Sequence, residues 1–234
     1  MKKVYEFIKE ELKVTPNDSV IIGVSGGADS MTLLHILLKV REATHFNIVC
    51  AHVNHGMRKE SDDEKVMVEQ FCKINNVGFE YMKIEEYSDD NFHNEARTIR
   101  YGFFESLLKK YNSKYLLTAH HGDDLIETVL MRLVRGSTLK GYAGFSKMKC
   151  EKEYYVLRPL IYVTKDQILE YAKTNKIQYA VDKSNDKDTY TRNRYRKYVI
   201  PFLKEEESAV HEKVLKYSET LHEYSNFIDR IMLQ

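Results

Sequence analysis

The chain has 234 residues, 43% hydrophobic and 30% charged, with a formal net charge of +1. This suits one large folded domain, or one with an extension, and near-neutrality excludes an all-over nucleic-acid-binding surface, leaving RNA contact to local basic patches. No apolar run approaches the roughly 20 residues that cross a bilayer, and the start, Met1 to Glu6, has no signal-peptide core. Cys50, Cys72 and Cys150 are isolated and form no C-x-x-C pair, so a cytoplasmic protein without a zinc ribbon or cysteine-bound cluster is expected.

Residues 4–12 read as a short amphipathic helix, and Thr15-Pro16-Asn17-Asp18 as a turn. The apolar run Ser19 to Val24 is the first strand. It feeds Ser25-Gly26-Gly27-Ala28-Asp29-Ser30 and then a helical pattern to about Val40. Strand, glycine turn and helix together aim backbone N–H groups at an anion. Gly26 and Gly27 let the loop curl, Ser25 and Ser30 add hydroxyls, and Asp29 places a carboxylate in the first helical turn. The spacing is neither a Walker loop nor the Rossmann glycine pattern.

The second strand, Phe46 to Val53, ends in Asn54 to Arg58. Ser61 and Glu64 have capping-box spacing, opening a helix to about Ile74. Phe79 to Ile84 is a third strand, Asn91 to Lys110 a helix, and Tyr115 to Ala119 a fourth strand running into His120-His121-Gly122-Asp123-Asp124. Leu125 to Val134 is helical, and Tyr154 to Leu157 is a short strand. This alternation predicts an α/β fold with a doubly wound, parallel, five-stranded sheet. Ligands of such sheets bind beyond the strands' carboxyl ends, where the Ser25, His52 and His120 motifs lie.

Gly136 to Phe145 is glycine-rich and reads as a mobile loop or lid. Thr164 caps a helix from Lys165 to Thr174, Asp182 to Asn185 is a turn, and Arg192 to Phe202 is basic and helical up to Pro201. Arg192, Arg194, Arg196, Lys197 and Lys204 interleave with Tyr190, Tyr195 and Tyr198, a pattern that suits RNA phosphates and an extruded base. Arg58, Lys59, Lys140, Lys147 and Lys149 are expected to extend that patch. Asp124 and Glu127, three apart, share a helix face and suit a cation, although acids also favour a helix start. His120 and His121 lack helical metal spacing and read as site lining.

The S-G-G-x-D-S loop resembles the pyrophosphate-binding loop of the N-type ATP pyrophosphatases. His52-Val53-Asn54-His55-Gly56-Met57-Arg58, Asn94-Glu95-Ala96-Arg97 with Arg100-Tyr101, Ala119 to Thr128, Arg135-Gly136-Ser137, Arg158-Pro159-Leu160, and Asp182 to Asn185 followed by Arg192-Asn193 and Arg196 all follow in order. As a set they resemble the tRNA(Ile)-lysidine synthase family, within the PP-loop superfamily. The resemblance implies an adenine nucleotide alpha hydrolase-like fold. It also implies ATP-dependent ligation of L-lysine to C2 of the wobble cytidine of tRNA(Ile) bearing a CAU anticodon, through an adenylated intermediate. Mg²⁺ would be held by Asp29, with Asp29, Asp124, Glu127, Arg192 and Arg196 catalytic. Ser25, Gly26, Gly27, Ala28, Asp29, Ser30, His52 and Arg97 would bind the nucleotide. His120, Asp124, Glu127, Arg192 and Asn193 would bind the other substrates. The family's R-G-S-G-x-x-G-L-x-G departs here to Thr138, Tyr142 and Phe145. The alternatives are a 2-thiocytidine synthase-like enzyme, which relies on paired cysteines, and a non-catalytic ATP sensor.

Residues 1–204 are read as the catalytic domain and 205–234 as a long helical extension linking to further domains. Val210, Val214, Tyr217, Leu221, Tyr224, Ile228 and Ile231 form a heptad seam needing a partner surface, either this domain, another domain, or a second copy in a homodimer.

Overall fold

Alternation along the first strand sets the architecture. Val20 and Ile22 point into one core and Ile21 into another, and all three are fully buried. The structure, a computed structural model, describes residues 1–56, 60–84, 92–151, 153–181 and 191–232. Its elements are α1 (Lys2–Glu11), β1 (Ser19–Gly23), α2 (Ala28–Thr44), β2 (Asn47–Asn54), α3 (Glu60–Ile74), β3 (Gly78–Lys83), α4 (Phe92–Lys110), β4 (Tyr115–Leu117) and α5 (Gly122–Arg135). There follow α6 (Leu139–Tyr142), β5 (Met148–Cys150), β6 (Tyr155–Leu157), α7 (Lys165–Thr174), α8 (Thr191–Arg194), α9 (Ile200–Glu206) and α10 (Val210–Met232).

The six-stranded sheet has the order β3-β2-β1-β4-β6-β5. The five expected strands are all present and mutually parallel. A sixth, β5, lies antiparallel against β6, with Met148 opposite Leu157. Leu33, Leu34 and Leu37 of α2 cover one face, with α1, α3 and α7. Phe104, Leu107 and Leu108 of α4 cover the other. Each such buried side chain stabilises the fold by about 1.5–3 kcal/mol relative to exposure. Strand order reverses between β1 and β4, so the crevice for a ligand opens between their carboxyl ends.

Three expectations are corrected. The stretch 136–145, read as a mobile loop or lid, is an anchored segment. Thr138 caps α6, the Arg132 Nη1 donates to the carbonyls of Gly141 at 2.5 Å and Gly144 at 3.2 Å, and Ser218 Oγ donates to the buried Ala143 carbonyl at 2.5 Å. The helix predicted to stop at Pro201 continues through it. A wide π-helical turn at Tyr195–Val199 precedes α9, where proline's missing N–H falls at the helix start and is tolerated. The α10 face that packs matches the heptad seam only in part, at Val214, which meets the Leu125, Val129, Ile161 and Leu215 cluster. His211, Leu215, Ser218 and Ser225 face the domain, with Leu215 meeting Leu125, Val129 and Ile161. Tyr217, Tyr224, Ile228 and Ile231 remain 43% to 59% exposed. Close approach to the Ala143 backbone favours small polar side chains, which a count of apolar residues does not register.

Candidate active site

The loop after β1 is built as its sequence requires. Gly26 adopts φ +90°, a left-handed conformation that an L side chain rarely takes. Gly27 N-caps α2, Ala28 begins it, and Asp29 is its acidic first-turn residue. Ser30 Oγ accepts from the Ser25 amide at 3.1 Å and donates to the Gly27 carbonyl at 3.1 Å. The loop is clasped from far along the chain, where the Ala180 amide donates to the Gly26 carbonyl at 2.9 Å.

A cleft of about 300 Å³ opens beside it. Ser25, Asp29, Ser30, His52, His120 and Asp124 line it, as the sequence motifs anticipate. His52 Nδ1 meets the Val24 carbonyl at 2.8 Å and therefore donates, leaving Nε2 as an acceptor; that atom is buried without a partner among the described residues. Burial holds the ring's pKa below its ordinary value. His120 lies against Thr118 Oγ1 at 3.0 Å, and burial pushes its pKa down to about 3, with the cations Arg158, Arg192 and Arg100 adding to the effect.

At the next strand end, His121 N-caps α5. Its Nδ1 accepts from the Asp124 amide at 3.4 Å, and Asp124 Oδ2 accepts from the His121 amide at 3.1 Å. Since Nδ1 accepts, the ring proton sits on Nε2, which lies 3.5 Å from Asp124 Oδ2 and 3.9 Å from Asp29 Oδ2. Burial raises the pKa of Asp124, but His121, Arg192 and His120 together outweigh it, so its carboxyl titrates below the usual range.

Asp124 and Glu127 do share a face, and both are occupied by guanidinium groups of this chain. Arg192 Nε donates to Glu127 Oε2 at 2.6 Å and Arg196 Nε to Glu127 Oε1 at 2.8 Å. Both arginines also place Nη2 3.3 Å from Asp124 Oδ1. Glu127 is fully buried, while the arginine side chains are 45% and 40% exposed. The pair is thus a cation site, and its Asp124 lines the cleft beside the loop.

Other predicted residues fall elsewhere. Arg97 is exposed, 4.8 Å over the Tyr101 ring, and Arg100 is the arginine of α4 that lines the cleft. Asn193 is half-buried on α8 between the two clamping arginines. Lys140, Lys147 and Lys149 each pair with a carboxylate (Asp229 at 3.9 Å, Glu219 at 2.9 Å, and Glu151), so they do not extend a bare basic patch. Arg58, Lys59, Asp182 to Asn185 and Tyr190 lie outside the described residues.

Sequence reasoning missed Lys165 and Asp123. Lys165 Nζ sits 2.6 Å from Asp29 Oδ1. Asp123, buried, accepts from the Lys165 amide at 3.1 Å and from Lys204 Nζ at 2.8 Å. A lysine at the first position of a helix, where acids are favoured, was the available signal. No group of three His, Cys, Asp or Glu poised to hold a metal occurs among the described residues. Asp29 fits a hard cation nonetheless, because its present partner is an ammonium and one carboxylate plus substrate phosphates suffices for Mg²⁺.

The chain is 42% identical over 240 residues to a tRNA(Ile)-lysidine synthase of Bacillus cereus, covering all of this chain and 50% of that one. It is 40% identical over 239 residues to the synthase of Bacillus subtilis, again covering 50% of it. The chain therefore spans about half the length of the curated relatives it matches. In fold it is similar to the U34-tRNA thiolase NcsA from Methanococcus maripaludis (TM-score 0.78, 18% identity, 95% of this chain and 78% of that one). It is also similar to an NH3-dependent NAD synthetase from Campylobacter jejuni (TM-score 0.54, 13% identity, 97% and 93%). A PP-loop domain model matches residues 1–203, and the glycine turn, the switch-point cleft and the helices around them accordingly place this chain in the PP-loop family.

Proposed function

We propose that this chain carries the catalytic part of a tRNA(Ile)-lysidine synthase, with residues 1–204 as the catalytic unit and 205–234 as a helical extension on it. One observation carries the reading. Asp124, which lines the same crevice as the PP-loop, and Glu127 on the same helix face form a cation site already holding two guanidinium groups at 2.6 to 3.3 Å. A lysine substrate brings a cation of the same sign to the same oxygens. The similarity to lysidine synthases supports the choice of lysine and tRNA over other partners.

The chemistry proceeds in two displacements. The C2 oxygen of the wobble cytidine attacks the α-phosphorus of ATP, the bond to the bridging oxygen breaks, and pyrophosphate leaves with the electron pair. The lysine ε-amine, having lost a proton, then bonds to C2, and AMP departs with its oxygen. Such transfers need positioning and charge neutralisation more than covalent help. The Ser25–Ser30 loop holds the pyrophosphate, and Arg192 and Arg196 can turn from the acids toward phosphate oxygens. His52 Nε2 offers a lone pair to a nucleotide hydroxyl or amine. Mg²⁺, held by Asp29 with the triphosphate, would neutralise phosphate charge. Tyr198, 56% exposed and with Lys197 Nζ 5.0 Å from its ring centroid, suits contact with an RNA base.

A tRNA substrate implies a cytoplasmic setting; no helix among the described residues is long and apolar enough to cross a membrane. A homodimer through α10 would use the exposed Tyr224, Ile228 and Ile231 ridge, and sedimentation at micromolar concentration decides it. A cluster-dependent thiolation reading is disfavoured because Cys50 and Cys72 are buried in the core and Cys150 is exposed on β5.

The deciding experiment supplies ATP, Mg²⁺, lysine and a tRNA transcript with a CAU anticodon. Lysine incorporation with stoichiometric AMP supports the reading, and Asp29→Ala abolishes it. ATP binding without AMP formation in the full-length protein sinks it in favour of a nucleotide sensor.

A further inference from the structure

The PP-loop carries no lysine of its own, since Ser25 to Ser30 contains only serines, glycines, an alanine and an aspartate. A triphosphate seated there brings several negative charges, and backbone N–H groups supply only partial positive charge against them. A full positive charge must come from another part of the chain. Arg192 and Arg196 rest on Asp124 and Glu127, at the next strand end rather than at the loop. Lys165 is differently placed. It is the first residue of α7, where a cation opposes the helix dipole, so local helix energetics do not account for it. Its ammonium instead reaches across to α2 and rests on Asp29 Oδ1 at 2.6 Å, half-buried, beside the N-terminus that the loop opens.

The stem of that side chain is held from below. Thr164 closes a capping box with Gln167, fixing the start of α7. The Lys165 amide donates to Asp123 Oδ2, and Lys204 Nζ holds the same oxygen. A buried carboxylate from α5 thus fixes the backbone from which the ammonium reaches the cradle.

We propose that Lys165 is a phosphate-binding residue of the nucleotide site. On nucleotide binding its ammonium moves from Asp29 to the β- or γ-phosphate oxygens, leaving Asp29 to the divalent ion. As the bond between the α-phosphorus and the bridging oxygen breaks, the electron pair goes to pyrophosphate, and Lys165 hydrogen-bonds that group while keeping its proton. The inference rests on the nucleotide-binding reading of the loop, and goes beyond it in naming the cation that reads the outer phosphates.

The test uses the full chain with Lys165→Met and Lys165→Arg, measuring affinity for ATP, pyrophosphate and AMP by calorimetry, with melting temperature as the check on folding. Lys165→Met should weaken ATP and pyrophosphate by about tenfold or more, the loss of one charge-assisted contact, and leave AMP unchanged. Lys165→Arg should restore most of the ATP affinity. Should Lys165→Met fail to fold, Lys165→Gln takes its place with the same expectation. Equal weakening of ATP and AMP, as a purely positional role through Asp29 or α7 would give, overturns the proposal, as does unchanged ATP affinity. A wild-type chain that binds no ATP overturns the nucleotide reading itself and this inference with it, whereas wild-type binding with unaffected variants overturns only the role of Lys165.

Discussion

Arg192 lays its Nε 2.6 Å from Glu127 Oε2, so a half-exposed cation closes over a carboxylate that has no exposure of its own. A buried carboxylate needs such a partner, because leaving it unpaired costs several kcal/mol. In this state the site is self-satisfied, and under the proposed function a substrate ammonium would enter by exchange with a guanidinium.

Glu127→Gln removes the charge and presents an amide to two guanidinium groups. The KM for lysine should rise about tenfold or more, while tRNA-dependent release of pyrophosphate from ATP persists. Steady-state kinetics separating lysine use from adenylation checks this. Parallel loss of both steps would show that Glu127 only positions the arginines.

His120 predicts a pH dependence. Its folded pKa is pushed down to about 3, chiefly by burial, against about 6.5 in an unfolded chain. The neutral ring therefore contributes stability that is present above about pH 6.5 and is lost as pH falls toward 3. The melting temperature of the wild type should drop more between pH 7 and pH 5 than that of His120→Asn. His35, His52, His211 and His222 also have lowered pKa values, but they are common to both proteins. A pH-independent difference would mean that His120 is not held neutral by the fold.

Gly26→Ala isolates backbone strain. The added Cβ would meet Val68 Cγ2 at 3.5 Å, an ordinary contact, so crowding is not the difficulty. The left-handed φ is, at about 1–2 kcal/mol for an L residue. Stability should fall by that amount in denaturant titrations, and ATP affinity should fall further as the cradle distorts.

Ser218→Val tests the packing of α10. Losing the donor to the buried Ala143 carbonyl should cost about 1–3 kcal/mol. Substitution of exposed Tyr224 by Ser should cost less than about 0.5 kcal/mol. The reverse order would restore the heptad seam as the packing face.

The sheet was legible because β1, β2 and β4 are nearly continuous apolar runs separated by helical periods, the signature of parallel strands covered on both faces. The three-residue β5 was not, since Met148 to Cys150 has neither alternation nor length, and its pairing depends on β6. At the site, the loop, His52, His120 and Asp124 were legible because each sits at a strand's carboxyl end. Arg100 was passed over for Arg97 because the motif names both arginines and only the helix's rotation separates them. For Lys165 only its unusual place at a helix start was visible, because its partner is on α2 and single-chain spacing carries no information about pairs that distant.

The contact between Ala180 and Gly26 bears on how the protein is made. The loop's sequence leaves the ribosome early, yet its clasp is translated much later. A nascent chain that has not reached Ala180 carries every residue of the cradle without the strand-like rung that braces it. The bracing of the loop is therefore a late acquisition of synthesis, completed only once the segment around Ala180 has folded back onto it.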